Sequence, residues 1–501
     1  MNSIVASTEN PATVETPETP ARPAFWIAVV GLSQAWKFSI SIVSSVVLGR
    51  LLSPGDFGLV ATIGPLITMA DMLRDLGFTQ AIIQRRVISR GQVNALFWLS
   101  MAVTFVIATF LSLISPLVAV FFNEPRLTSL LIAASWSLLI GSLGALPIAW
   151  LNRNLRFSTI AIVESCASGI GLITAATCAW LTHSYWSLVL ASAAYSTTAA
   201  ALSLSTSGWR PGRPEFDRVL GEMVRFGAEV STADISSFIA RNADNFLIAK
   251  ADGPVSLGLY DRAYKLMLVP LSQMTWPISR VLIPILSRQV NDKEAYKRTY
   301  LSSISYLMLF AQPGVLFCVV FSRDVVHLLL GPRWGGVAPI FAWLGAAALQ
   351  QLVTSSIVWL FISQGRSKAL AAVGVINSMV AVISFFVGLS WGPLGVAVSF
   401  TIFDFVVRVP FSWWFATRRG PVGPAATLKT ILPHLAAVGA CTGCLIMISE
   451  FSDHPTAADM AVWTLVTYTL YVVILMAWPS KRDLFRSCGL LVGSKLRTLM
   501  T

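Results

Sequence analysis

The chain is built from long apolar stretches that show neither the two-residue alternation of a half-buried strand nor, for the most part, the single stripe of a surface helix. A bilayer core of about 30 Å needs about 20 mostly apolar helical residues to cross it. Stretches of that kind recur near 25–48, 58–76, 94–122, 127–150, 159–181, 184–204, 223–250, 256–285, 299–321, 335–363, 367–390, 393–415, 430–449 and 460–478. The pattern therefore predicts an all-α membrane protein with fourteen spans, the seventh so polar that hydropathy alone would pass over it. Residues 1–23 break the pattern. Thr8 to Pro23 is rich in Thr, Pro and Glu and lacks both the basic start and the small-residue cleavage site of a signal peptide, so it is expected to be a disordered cytoplasmic tail.

Composition sharpens this picture. Of the 501 residues, 55% are hydrophobic and 12% charged, with a mean hydropathy of +0.70. Soluble domains carry about a quarter charged residues, so this chain needs lipid around it. The formal charge of +12 is dispersed among apolar segments rather than gathered on one element, which argues against a nucleic-acid partner. Its placement sets an orientation. With the N-terminus inside, twenty-three Lys and Arg fall on the inner side, and only Arg50, Arg126, Lys250, Arg323 and Arg333 fall outside. Both termini are thus expected in the cytoplasm. The outer loops are too short to house a folded domain, which weakens polymerase and ligase readings. The chain has no D-x-D, no Gly-Lys dipeptide and only four scattered His, so an enzyme is not expected. Cys441 and Cys444 form a C-x-x-C inside an apolar stretch, where cysteine acts as a small hydrophobe.

The chain also resembles itself at an offset of about 200–210 residues. Leu52-Ser-Pro-Gly-Asp-Phe-Gly-Leu59 after the first span answers Gly253-Pro-Val-Ser-Leu-Gly-Leu-Tyr260 after the seventh, with Pro54 matching Pro254 and Gly58 matching Gly258. Further weak matches follow in the same order. They predict two six-span lobes, residues 24–210 and 211–420, then an added pair of spans at 421–479 and a basic cytoplasmic tail at 480–501. An even number of spans per lobe makes the repeat parallel, related by a pseudo-twofold axis along the membrane normal, and transporters place the substrate path between such halves.

Arg50-Leu-Leu-Ser-Pro-Gly-Asp-Phe-Gly-Leu59, Asp75-Leu-Gly-Phe-Thr-Gln-Ala-Ile-Ile-Gln-Arg85, Arg241-Asn-Ala-Asp-Asn-Phe-Leu-Ile248, Leu257-Gly-Leu-Tyr-Asp-Arg-Ala-Tyr-Lys265 and Pro277-Ile-Ser-Arg-Val-Leu-Ile-Pro-Ile-Leu-Ser287 resemble the polysaccharide transporter family. This family includes the Wzx-type flippases and belongs to the multidrug/oligosaccharidyl-lipid/polysaccharide (MOP) superfamily. The resemblance covers most of residues 25–420 and is diffuse beyond. It implies a MOP-type fold whose lobes enclose an alternately opening cavity. The implied cargo is a polyprenyl-diphosphate-linked oligosaccharide unit, moved across the inner membrane for exopolysaccharide, capsule or O-antigen assembly. Polymerase and export machinery are the expected protein partners. A cation-coupled small-molecule exporter of the same superfamily is the main alternative.

Ionisable side chains inside a span cost about 2.5–3.5 kcal/mol each on insertion scales and usually face a cavity or a partner. Polar stripes at helical spacing mark four spans: Ser33, Lys37, Ser41 and Ser44; Gly64, Thr68, Asp71 and Asp75; Asp234, Ser237, Arg241, Asp244 and Asn245; and Asp261, Lys265, Ser272, Thr275 and Ser279. These are spans 1, 2, 7 and 8, which line the cavity in the resembling superfamily. Eight intramembrane cations meet eight acids, so a cationic lumen does not follow from the count. Arg225–Glu229, Asp404–Arg408 and Asp261–Lys265 have the spacing of structural pairs. Lys37, Arg241 and Lys265 are candidates to converge on the diphosphate or on acidic sugars, with Asp71, Asp234, Asp244 and Asn245 completing the polar lumen. Alternatively, the three cations neutralise Asp71, Asp234 and Asp244. No cofactor or metal is expected, but Asp71, Glu164 and Asp234 are candidates for H+ or Na+ coupling.

Overall fold

The computed structural model describes residues 13–15, 23–75, 77–84, 87–215, 241–450, 456–479 and 481–482, with positions 221, 224, 225 and 238 between them. Almost all of these residues are helical, because a chain crossing lipid must satisfy its backbone hydrogen bonds within each segment. Among the described residues, eleven helices are long and apolar enough to cross a membrane. They correspond to the expected spans 2–6 and 9–14. The first expected span is helical over Pro23–Leu51 and the eighth falls within Ala243–Arg288, while most of the seventh lies outside the described residues.

The chain divides into two units, Met1–Gly258 and Leu259–Thr501. The first contains β1 (Thr13–Glu15), α1 (Pro23–Leu51), α2 (Pro54–Asp75), the short α3 (Phe78–Gln84), β2 (Val87–Ser89), α4 (Arg90–Phe122), α5 (Arg126–Arg153), α6 (Phe157–Thr182) and α7 (Trp186–Thr206). The strand β1 is a departure from the tail expected to lack structure: it pairs antiparallel with β2, Val14 opposite Ile88. Local chemistry sets the α4 boundaries. Ser89 Oγ accepts the Gln92 amide at 3.0 Å and Gln92 Oε1 accepts the Ser89 amide at 3.0 Å, a reciprocal cap. At the far end Asn123 takes a left-handed conformation (φ 54°) and closes the last turn on the Ala119 and Val120 carbonyls. The outer face of α4 presents Leu113, Leu117 and Val120, 70% or more exposed, as a lipid-facing helix should. Its inner face packs Val93, Leu96 and Phe97 against Trp150 and Trp209, with Phe97 and Trp209 edge to face at 5.4 Å. Small residues bring helices close, as they do in membranes generally: a Cβ on Gly144 of α5 would lie 2.9 Å from the Ala200 Cα of α7.

The helix α8 (Ala243–Arg288) crosses the boundary between the units and breaks at Gly253, whose φ of 77° and ψ of −178° suit a residue without Cβ. Just beyond the break, the two repeat-related segments meet. A Cβ on Gly58 would collide with the Pro254 carbonyl, and one on Gly258 with the Pro54 carbonyl; it would also come within 3.0 Å of the Gly58 nitrogen. The positions aligned by the repeat are thus each other's neighbours.

The second unit holds α9 (Lys293–Val320), capped by the Asp292 carboxylate accepting the Ala295 amide at 3.0 Å, then the short α10 (Ser322–Leu330) and α11 (Val337–Ser363). It continues with α12 (Ser367–Leu389) and α13 (Gly392–Phe403), which runs through a π-helical turn at Asp404–Arg408 into α14 (Val409–Thr417). The last two helices are α15 (Pro424–Glu450) and α16 (Ala457–Ala477). A buried polar chain fastens this final pair to the unit. Gln312 of α9 donates to the Leu349 carbonyl at 3.3 Å, Tyr471 of α16 donates to Gln312 Oε1 at 2.7 Å, and His434 Nδ1 of α15 lies 2.9 Å from the Tyr471 hydroxyl. Because the Tyr471 proton goes to Gln312, Nδ1–H of His434 is the donor to Tyr471. Beyond the last span Lys481 turns back and donates to Ser305 Oγ at 2.7 Å. Burial pushes its ammonium pKa down to about 8.

Candidate functional site

The polar stripe of α2 opens onto a cavity of about 490 Å³ inside the first unit, bounded by α2, α5 and α7. Asp71 Oδ1 holds Arg74 Nη2 at 2.6 Å, one turn along the helix. Arg74 Nη1 also donates to the Leu138 carbonyl of α5 at 3.3 Å. Gly141 makes this possible, since a Cβ there would lie 3.3 Å from Nη1. Arg74 is thereby pinned between two helices, while Asp71 stays half exposed to the cavity. Ser137, Ser192, Tyr195 and Ser196 add hydroxyls to walls that are otherwise apolar. A concave site with a few polar groups on apolar walls suits an amphipathic ligand.

Lys37 finds its partner elsewhere. Its Nζ donates to Glu164 Oε2 of α6 at 2.6 Å, and both side chains remain about a quarter exposed. Neither alternative drawn from the sequence contains this pairing: Asp71 is engaged by Arg74, and the sequence marks Glu164 only as a coupling candidate. Asp75 is held within its own neighbourhood, accepting from Thr79 Oγ1 at 2.7 Å.

The remaining candidates divide between the units. Arg241 is exposed. Asp244 is buried, and its Oδ1 accepts the Asn245 amide at 2.9 Å. Asp234, like Glu229, lies outside the described residues. Lys265 belongs to the second unit, where its Nζ lies 2.8 Å from buried Asp261, which also accepts from Arg262 at 3.2 Å. The spacing reading of Asp261–Lys265 as a pair agrees with this geometry.

The second unit has a smaller polar cavity, about 180 Å³, near the π-helical turn. Arg408 Nη1 lies 2.8 Å from Asp404 Oδ1, again the pair expected from spacing. Gln350 donates to the other Asp404 oxygen, and Asn377 donates to Ser412 Oγ at 2.8 Å. The polar neighbours Gln350 and Asn377 are not legible in the sequence, because uncharged amides in apolar helices give no strong hydropathy signal. Outside the spans, Arg126 holds Glu124 through two bonds at 2.7 and 3.0 Å and keeps its carboxyl below the usual carboxylate range. Arg366 donates to the carbonyls of Phe415, Ala416 and Arg419, capping the end of α14. Among the described residues no cluster of three or more His, Cys, Asp or Glu could hold a metal.

A family described as polysaccharide biosynthesis protein matches residues 47–339, more than half of the chain. The chain belongs to that family. It is 25% identical over 374 residues to the lipopolysaccharide biosynthesis protein WzxC of Escherichia coli (strain K12), covering 73% of this chain and 75% of WzxC. Among solved structures, the lipid II flippase MurJ in an inward closed conformation superposes with a TM-score of 0.72 at 15% identity, covering 92% of this chain and 99% of MurJ. An inward-facing multidrug resistance MATE family transporter of the MOP superfamily gives 0.59 at 15% identity over 81% of this chain and 99% of its own. These likenesses establish a MOP-type fold for this family member and a multi-pass membrane protein.

Proposed function

We propose that this protein is a flippase that carries a lipid-linked oligosaccharide from the cytoplasmic to the outer leaflet of the inner membrane, by alternating access, for surface-polysaccharide assembly. The family match over residues 47–339 carries this reading, and the fold likeness to a lipid II flippase supports it. The polar cavity of the first unit fits an amphipathic cargo, with ionic and hydroxyl groups at its wall and lipid-facing helices around it. In this reading both termini are cytoplasmic, the repeat forms two six-helix lobes with α15 and α16 appended, and fourteen spans cross the bilayer. Lys37, Arg241 and Lys265 engage the diphosphate, since a cation in a low-dielectric cavity attracts phosphate strongly. Proton or sodium exchange takes place on Asp71, Glu164 or Asp234. The protein moves its cargo and performs no covalent chemistry on it.

The test is genetic and chemical. Deleting the gene should abolish one surface polymer and trap its lipid-linked repeat unit on the cytoplasmic leaflet, and a plasmid copy should restore export. A Lys37→Glu, Arg241→Glu double variant should fail to restore it. Unchanged surface polymer in the deletion strain, with altered drug susceptibility, would replace the flippase by a small-molecule exporter of the same fold.

A further inference from the structure

The Lys37–Glu164 pair differs from three other ion pairs among the described residues of the spans. Asp71–Arg74, Asp261–Lys265 and Asp404–Arg408 each join residues three or four apart on one helical stretch. Lys37 and Glu164 are 127 residues apart and tie α1 to α6. Both side chains are part exposed, 27% and 29%, so neither is sealed inside the packed protein. An ammonium has three donors, and among the described residues Glu164 is the sole hydrogen-bond partner that Lys37 engages. Glu164 sits on α6, which packs against α7, and α7 supplies Tyr195 to the wall of the 490 Å³ cavity. Asp71 cannot readily substitute for Glu164, because Arg74 already holds it and is itself fixed to the Leu138 carbonyl.

We infer that Glu164 is a built-in stand-in for the anionic head of the cargo, holding Lys37 in the empty carrier and yielding it when a diphosphate arrives. This rests on the flippase reading, which supplies the isoprenoid diphosphate. A lone cation between apolar helices is costly, so an empty carrier needs a resident anion. A diphosphate brings more negative charge than one carboxylate and takes the ammonium, while exposed Glu164 is rehydrated rather than stranded. Loading is then an exchange of partners rather than a capture by a bare cation. Affinity for cargo is lower than the cation alone would give, and the returning carboxylate helps expel the cargo after transfer.

The experiment uses the purified full chain in detergent, with farnesyl diphosphate and its uncharged counterpart farnesol as probes, read by calorimetry. Glu164→Gln should bind farnesyl diphosphate about fivefold more tightly than the parent, the scale of one partly exposed ion pair. Glu164→Ala should do the same without the amide, guarding against a variant that fails to fold. Lys37→Gln should bind at least fivefold more weakly, and Lys37→Gln, Glu164→Gln should match Lys37→Gln, because the competitor matters only while the cation is there. Farnesol should bind all of them equally. If Lys37→Gln weakens binding but both Glu164 variants bind like the parent, the stand-in role is wrong while the flippase reading stands. If Lys37→Gln binds like the parent, Lys37 is not the exchanged cation and the inference fails. If the parent itself does not distinguish farnesyl diphosphate from farnesol, the flippase reading fails as well.

Discussion

Two ion pairs of nearly equal length sit in very different surroundings. Lys37–Glu164 closes at 2.6 Å and Asp404–Arg408 at 2.8 Å. The first spans two helices and is about a quarter exposed on each side. The second lies on one helix at a π-helical turn, with the Arg408 side chain 23% exposed but the Asp404 side chain only 10%, and the other Asp404 oxygen committed to Gln350. An exposed pair contributes about 0–1 kcal/mol, because water solvates either partner once they separate. A buried pair that loses one partner leaves an uncompensated charge at a cost of about 3–5 kcal/mol. The difference lies in how costly each pair is to open, and only the open pair is suited to changing partners.

The contrast can be broken by substitution. Arg408→Ala should lower thermal stability in detergent by the equivalent of about 3–5 kcal/mol, because it leaves the buried Asp404 without its cation. Asp404→Leu, Arg408→Leu together should be near neutral, because the buried carboxylate and its cation go at once; an equal loss from the double variant would show that the turn itself, not the charge, depends on the pair. Next in size, Tyr471→Phe should cost about 1–3 kcal/mol, since it strands Gln312 Oε1 and the His434 donor in an apolar interior. Melting curves would check whether a neutral buried chain is as demanding as a buried charge. Glu164→Gln should cost no more than about 1 kcal/mol of stability. A large loss of folded protein there would place the open pair in the same class as the buried one. The smallest effect concerns Lys481, whose folded-state pKa of about 8 lies below the unfolded lysine value near 10.4. Between those values the folded chain binds fewer protons than the unfolded chain, so stability contributed by this site rises with pH. Lys481→Met should therefore raise the melting temperature at pH 7, and the gain should shrink as pH climbs past 8.

Hydropathy alone located most of the helices, because each span must carry its own apolar length whatever its neighbours. Gly253-Pro254 marked the break in α8 for a local reason as well, a positive φ that glycine accepts. The pairs Asp404–Arg408 and Asp261–Lys265 were legible because helical spacing alone brings them together. The partner of Lys37 was not, because no local rule connects residues 127 apart on two helices. Gln312, His434 and Tyr471 escaped for a related reason: each is an isolated polar residue in an apolar helix, and only packing turns three of them into a chain. The β1–β2 pairing was equally invisible, since three residues of Thr-Val-Glu carry no pattern long enough to read.

The crossing at Gly58 and Gly258 leaves no room for a side chain on either segment of the seam. Each glycine faces the prolyl carbonyl of the other Pro-x-x-x-Gly segment, far away along the chain. An alanine at either position would have to push two backbones apart rather than turn a flexible side chain aside, so this joint tolerates change all around it except at its two glycines.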